Sequence, residues 1–366
     1  MSSRIGHNIQ VQVFGESHGP AIGLVIDGLP AGIPLDHEAI GRQMARRAPG
    51  SGRHVTQRRE PDQPQYLSGV YRDRTTGSPL CAIIPNTDTR SKDYATLADL
   101  PRPSHADYNA QVKYGGHADM RGGGHFSGRL TAPLVLAGAI CAGALKDYGI
   151  EVGAHLIQVG DVKAPPVDAR SVTARDLESL RTAPMGIADE AARQAAEDLL
   201  AQVRADGDSV GGLVECAAVG LPQGLGNPMA DGLENRLAGA IFAIPGVRGI
   251  AFGAGFDACA MRGSVHNDPY DLEDGQIRPR TNRAGGVLGG ISTGLPIISQ
   301  VAFKPTPSIA RAQDSVRLST GQPEKLTIAG RHDPCIAIRA IPVVEAVTAI
   351  VLLDLLYDKG ACHVPR

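Results

Sequence analysis

The chain has 366 residues, including 45 Gly and 26 Pro, and is 42% hydrophobic and 20% charged. Those proportions exclude a collagen-like or wholly disordered chain. The formal net charge of −2, from 36 basic and 38 acidic residues, excludes a surface that is basic overall, as a general nucleic-acid or membrane binder carries.

Two biases remain. Gly is about 12% of the chain against a usual value of roughly 7%, so many backbone positions need positive φ or close approach to something. Arg outnumbers Lys by 29 to 7, and Arg forms bidentate forks to carboxylate and phosphate where Lys is a point charge. The six cysteines are scattered singly, with no spacing that suits zinc, and read as free thiols of a reducing cytosol. The N-terminal MSSRIGHNIQ lacks the apolar core of a signal peptide, so a cytoplasmic location is expected.

In chain order, Gln10–Phe14 alternates polar and apolar and Ile22–Ile26 is apolar, which predicts an antiparallel strand pair around the loop Gly15–Gly19. Asp36 is a candidate N-cap for a helix to Arg47, with Ile40 and Met44 at helical spacing. Leu80–Ile84 reads as a strand, and Thr89–Tyr114 is a long irregular stretch of the kind that is usually functional. Leu130–Lys146 is apolar but short for a bilayer and contains Pro133, so a buried core helix is expected. Asp189–Arg204 reads as an amphipathic helix, Gly212–Val219 as a strand and Leu233–Phe242 as a short helix. A last helix is expected over Pro342–Leu356, with Pro342 at its first position. Hairpins mixed with long helices favour an α+β sandwich over a doubly wound sheet, in one domain spanning 1–366.

Five segments could carry chemistry. Phe14-Gly15-Glu16-Ser17-His18-Gly19 places Ser17 and His18 at a tight turn between strands. Arg42, Arg46, Arg47, Arg53, Arg58 and Arg59 crowd eighteen positions with few acids, which favours an anionic ligand over a solvated helix face. Arg102 to Tyr108, then Lys113 to His117, lead into Arg121-Gly122-Gly123-Gly124-His125-Phe126-Ser127-Gly128-Arg129. Three glycines before an expected helix would offer backbone N–H groups to an anion. Arg283 to Gly294 carries paired glycines around an apolar strand, for which close packing of layers is the plain reading; Lys304 to Ser308 follows. Gly330-Arg331-His332-Asp333-Pro334-Cys335 is the fifth. There is no P-loop, no Gly-x-Ser-x-Gly elbow and no metal-ligand spacing. The residues alone point to an enzyme acting on a strongly anionic substrate.

At these segments the chain resembles the chorismate synthases. The likeness runs through Gly15-Glu16-Ser17-His18-Gly19 to Asp27-Gly28-Leu29-Pro30, through Gly124-His125-Phe126-Ser127-Gly128-Arg129-Leu130-Thr131, and through Arg331-His332-Asp333-Pro334-Cys335 to Glu345-Ala346. The resemblance implies an anti-1,4-elimination of phosphate and a C6 hydrogen from 5-enolpyruvylshikimate 3-phosphate, giving chorismate. It implies reduced FMN as a cofactor used without net redox change, and NADPH as a source of reducing equivalents. By the same resemblance His18 protonates the departing phosphate, His105 manages the proton state of the flavin, and Asp333 belongs to the relay that removes the hydrogen. His125, Phe126, Ser127, Pro245, Gly246, Gly289, Lys304, Pro305, Thr306, Pro307, Ser308 and Arg331 match flavin positions. Arg47, Arg53, Arg102, Arg129 and Arg331 match anion ligands, Arg47 and Arg53 for NADP as well. The implied fold is a β-α-β sandwich, with two antiparallel sheets between layers of helices, and the implied assembly a cytoplasmic homotetramer served by an external flavin reductase. An NADPH-dependent flavin oxidoreductase is the alternative enzyme. An RNA-binding protein is a third class, disfavoured by the near-zero charge and the absence of Trp.

Overall fold

The computed structural model describes residues 3–48, 61–87, 99–328 and 333–358. Two five-stranded sheets dominate. The first has the order Arg4–Ile5, Gln10–Gly15, Ala21–Asp27, Leu80–Pro85, Gln65–Ser68. The second has the order Val247–Phe252, Ile297–Phe303, Gly212–Val219, Glu151–Val159, Val162–Lys163. Every pairing in both is antiparallel. The expected hairpin is present, with Val11 opposite Ile26 and Val13 opposite Leu24. Its alternation buries Val11, Val13, Ile22, Leu24 and Ile26 on one face and leaves Gln12 and Phe14 on the other.

The helices are α1 (His37–Arg47), α2 (Asp107–Lys113), α3 (Thr131–Lys146), α4 (Ala174–Thr182), α5 (Glu190–Ala205), α6 (Leu233–Ile241), α7 (Gly263–His266) and α8 (Ala337–Leu356). Asp36 caps α1 as expected, accepting from the Ala39 N–H at 2.9 Å. Asp189 caps α5 in the same way. α3 and α8 carry the layering. α3 packs on the first sheet, α8 packs on Glu151–Val159 and Gly212–Val219 of the second, and the two helices pack on each other. The helices therefore lie between the sheets, which corrects the expectation of sheets between helices. The second sheet also has a helix on its far side: there Leu177 and Leu180 of α4 meet Ala217, Val219 and Ile298.

The reason lies in the helices themselves. From Ala340 to Leu355 every residue of α8 is buried, so no face of it suits water and both sides need an apolar layer. α3 is nearly as dry, and the apolar run that ends in Lys146 is core, as expected. The two helices approach closely where Gly138 faces Ala346; a Cβ on Gly138 would lie 2.2 Å from the Ala346 Cα.

Pro342 does not begin α8 but stands inside it, five residues after the start. Ala337 to Ile341 extends the helix backwards because the Arg339 side chain on that turn is tied down. It donates to the Arg47 carbonyl at 3.0 Å and to Asp333 Oδ2 at 2.8 Å. The paired glycines of 283–294 follow the plain reading. Val287–Leu288 and Ile291–Ser292 form a small hairpin, and Gly253 and Gly285 stack backbone on backbone.

Candidate active site

One cavity of about 810 Å³ opens between the first sheet, the starts of α3 and α8, and the edge strand of the second sheet. Its size is within the range of cofactor and substrate sites. Arg47, Arg102, Arg129, Lys304 and Arg339 line it or its walls, together with His105, His125 and Asp333. These cations outnumber the carboxylates paired with them, which suits an anionic ligand.

The deepest cations show it most clearly. Arg47 and Arg129 share one buried carboxylate, Asp62. Arg47 Nη1 reaches Asp62 Oδ2 at 2.8 Å, and Arg129 Nη1 bonds the other oxygen. Arg47 also donates to Thr131 Oγ1 at 3.1 Å and to the Gly128 carbonyl at 3.1 Å. Arg129 Nε donates to Asn86 Oδ1 at 3.0 Å. Burial, and after it the charge of Arg339, push the Arg47 guanidinium down to about 9 despite Asp62. It stays protonated at neutral pH, and an added anion would relieve the strain among the three guanidinium groups.

On the opposite wall Arg102 is fully engaged. Its Nε and Nη2 clasp Asp107, and its Nη1 donates to Ser308 Oγ at 3.1 Å. His105 lies against this pair, 2.6 Å from Asp107 Oδ1. Lys304 donates from Nζ to the Ser104 carbonyl, which pins the loop bearing His105.

The triple glycine does not cap a helix. Gly122, Gly123 and Gly124 all have positive φ, and a short 3₁₀ turn at Gly128–Leu130 separates them from α3. This loop instead passes between the two histidines. A Cβ on Gly122 would lie 2.5 Å from His18 Nε2, and one on Gly123 would lie 3.6 Å from His105 Nε2. His18 is buried behind Gly122, at the wall rather than in the cavity lining. Ser17 donates its backbone N–H to the Gly124 carbonyl at 3.1 Å, which ties the turn of the first hairpin to the same loop.

Of the expected flavin positions, His125, Phe126, Ser127, Pro245, Gly246, Lys304, Thr306, Pro307 and Ser308 line this cavity. Pro305 stands between lining residues, and Gly289 sits at the turn of the small hairpin, outside the lining. His125 is held by the Gly15 carbonyl and Ser3 Oγ, each at 2.9 Å. Arg53, Arg58, Arg59 and Arg331 lie outside the described residues. The crowded arginines of α1 divide. Arg47 enters the cavity, whereas Arg46 forks onto Glu345 at 2.6 and 3.0 Å and Arg42 faces Glu38 at the surface. Those two face acids outside this cavity, so among the described arginines of the cluster Arg47 alone lines it. Sequence reasoning missed Asp62, Asp107 and Arg339. Asp107 stands inside the segment Arg102 to Tyr108, which was the one signal for it; Arg339 lies ahead of the helix expected from Pro342.

A family model for chorismate synthase matches residues 9–357. The chain belongs to the chorismate synthase family. Chorismate synthases of Dehalococcoides mccartyi and Methanocella arvoryzae are each 44% identical to it, the first over all of this chain and 99% of the relative, the second over 97% and 94%. That of Pyrococcus abyssi is 45% identical over 95% of this chain and 96% of its own. A crystal structure of a chorismate synthase superposes with a TM-score of 0.75 at 26% identity, covering 96% of this chain and 92% of that one. The chain is thus a phosphate-eliminating lyase of the shikimate pathway, in aromatic amino acid biosynthesis, and converts 5-enolpyruvylshikimate 3-phosphate to chorismate. The oxidoreductase alternative falls away.

Chorismate synthases use reduced FMN, and the residues present fit it. Gly246 packs so closely on Ile336 that a Cβ would lie 2.6 Å from it, which lets the Gly246 backbone itself join the lining. Ser127 and Ser308 bring hydroxyls and Lys304 an ammonium to the lining, groups that suit a phosphate-bearing cofactor, while Thr306 Oγ1 donates to the Asp333 carbonyl at 2.9 Å.

Proposed function

We propose that the cavity between the two sheets is where phosphate and a C6 hydrogen leave the substrate in an anti-1,4 sense. The observation that supports it is that Arg47, Arg129, Arg339, Asp333 and His105 all line this one cavity. The substrate bears a phosphate and two carboxylates, so it needs several fixed cations in a space that excludes water. Arg47 and Arg129 bind and orient those anions, with Arg53 and Arg331 assigned to the same task by the family pattern. Asp333, steadied by Arg339, accepts the hydrogen as a proton, and His18 donates a proton to the departing phosphate. A histidine suits that exchange at neutral pH. His105 holds the proton balance of the cofactor. Reduced FMN, when bound, supplies electron density that helps expel phosphate and recovers it afterwards. His125 to Ser127, Pro245, Gly246 and Lys304 to Ser308 hold that cofactor, with Gly289 and Arg331 from the family pattern. The working form is a single-domain protomer of a cytoplasmic homotetramer, with NADPH feeding an external flavin reductase.

An anaerobic assay tests the reaction and the reductant together. Photoreduced FMN is expected to support chorismate formation, and NADPH with oxidised FMN is expected not to. No product with photoreduced FMN would overturn the site assignment, and product with NADPH alone would make the reductase intrinsic.

A further inference from the structure

Asp107 is buried at the start of α2, and nothing in the reaction described so far uses it. Its carboxylate has four donors. Oδ2 accepts from the Arg102 backbone N–H at 3.0 Å and from Arg102 Nε at 2.7 Å. Oδ1 accepts from Arg102 Nη2 at 2.8 Å and from His105 Nδ1 at 2.6 Å. Burial alone would raise this carboxyl, but the hydrogen bonds from Arg102 and His105 hold it well below the usual carboxylate range. An ionised carboxylate only accepts, so the hydrogen between the two residues sits on Nδ1 of His105. Arg102 Nη2 lies 3.1 Å from that nitrogen as well. Both atoms are then donors, and one of the two Nη2 hydrogens goes to Asp107 Oδ1. Arg102 is held in place, because its third nitrogen donates to Ser308 Oγ at 3.1 Å.

The nitrogen left for chemistry is Nε2. It lies on the ring edge nearest Gly123, where a Cβ would stand 3.6 Å away, and His105 lines the cavity. We infer that Asp107 is a positioning residue that fixes His105 in the Nδ1–H tautomer, with Nε2 presented to the cavity and Arg102 as the brace of the pair. This rests on the reading of His105 as the group that manages the cofactor's proton. A carboxylate that orients an imidazole is a general device for choosing which ring nitrogen reacts.

Asp107→Asn tests it. The amide has one acceptor oxygen, and Arg102 offers three donors against one from His105. The oxygen turns to Arg102, the amide NH₂ meets Nδ1, and the ring proton moves to Nε2. Nitrogen-15 spectra of the cofactor-free protein, at a pH where the ring is neutral, are expected to show His105 protonated on Nδ1 in the wild type and on Nε2 in the variant. His105→Ala assigns the signals by their loss. The variant's kcat is expected to fall about 100-fold or more, with KM for the shikimate phosphate changed less than about threefold. A neutral wild-type ring protonated on Nε2 overturns the inference even if the variant does not fold. Wild-type kcat in Asp107→Asn beside an inactive His105→Ala overturns it while leaving the role of His105 intact. Wild-type turnover in His105→Ala removes that role and the inference with it.

Discussion

Gly122 shows how much of this site rests on single atoms. Its φ of +62° belongs to the left-handed region, and its missing Cβ leaves room for the His18 ring. Gly122→Ala would place a methyl about where His18 Cδ2 and Nε2 now are, 2.4 and 2.5 Å away. The ring can give by rotating, so stability is expected to fall by only about 1 kcal/mol, the cost of a left-handed alanine. The displaced imidazole would be misaligned for proton donation to the departing phosphate, so kcat is expected to fall about 10- to 100-fold, part of the roughly 100- to 10,000-fold loss expected for His18→Ala. Steady-state kinetics with a denaturation curve on each variant check this. Equal losses in stability and turnover, or wild-type turnover in His18→Ala, would remove His18 from the mechanism.

At the scale of elements, the α3–α8 contact sets how far apart the two sheets stand. Gly138 lets the backbones approach, and Ala346 fills the space opposite. Gly138→Val would force the helices apart through the middle of the core. Overpacking of this kind is expected to cost about 3 kcal/mol, measured as the shift in a denaturant midpoint at unchanged m. The starts of α3 and α8 both line the cavity, so cofactor affinity is expected to weaken in the same variant. An unchanged midpoint would mean that the two helices can slide past each other without loss. The N-terminal strand pair is tied to the other end of α8. There Asp354 accepts the backbone N–H groups of His7, Asn8 and Ile9 at 2.9, 2.6 and 2.8 Å.

Across the whole molecule, Glu345 joins three layers. It is buried in α8, takes the fork of Arg46 from α1, and accepts the Ala154 N–H of the second sheet at 2.9 Å. Glu345→Leu would strip the carboxylate from a mostly buried guanidinium, leaving it Gln43 Oε1 at 2.8 Å, and would take the acceptor from the buried Ala154 N–H. Losing one side of such a pair is expected to cost about 3 kcal/mol. Arg46 precedes Arg47, so the same change is expected to raise KM for the phosphorylated substrate by loosening the end of α1. Thermal melts and steady-state kinetics on the intact enzyme read both effects. A Tm and KM equal to the wild type's would show that the fork is idle.

The sequence by itself determined what is local: the strand pair at 10–27, the Asp36 and Asp189 caps, the dryness of α3, and the strings that mark the family. Each rests on residues a few positions apart, where periodicity, capping and glycine freedom leave a readable pattern. The tertiary structure decided what depends on partners far along the chain. Arg46 and Glu345 are 299 positions apart, and Arg102 and Ser308 are 206 apart. No spacing rule announces such pairs, so the sequence could not show that, of the described arginines in the crowded segment, Arg47 lines the cavity while Arg42 and Arg46 face Glu38 and Glu345. The layer order was hidden for the same reason. An all-apolar helix says that it will be buried, but only packing shows that α3 and α8 bury each other and so hold the two sheets, with the cavity between them, at a fixed distance.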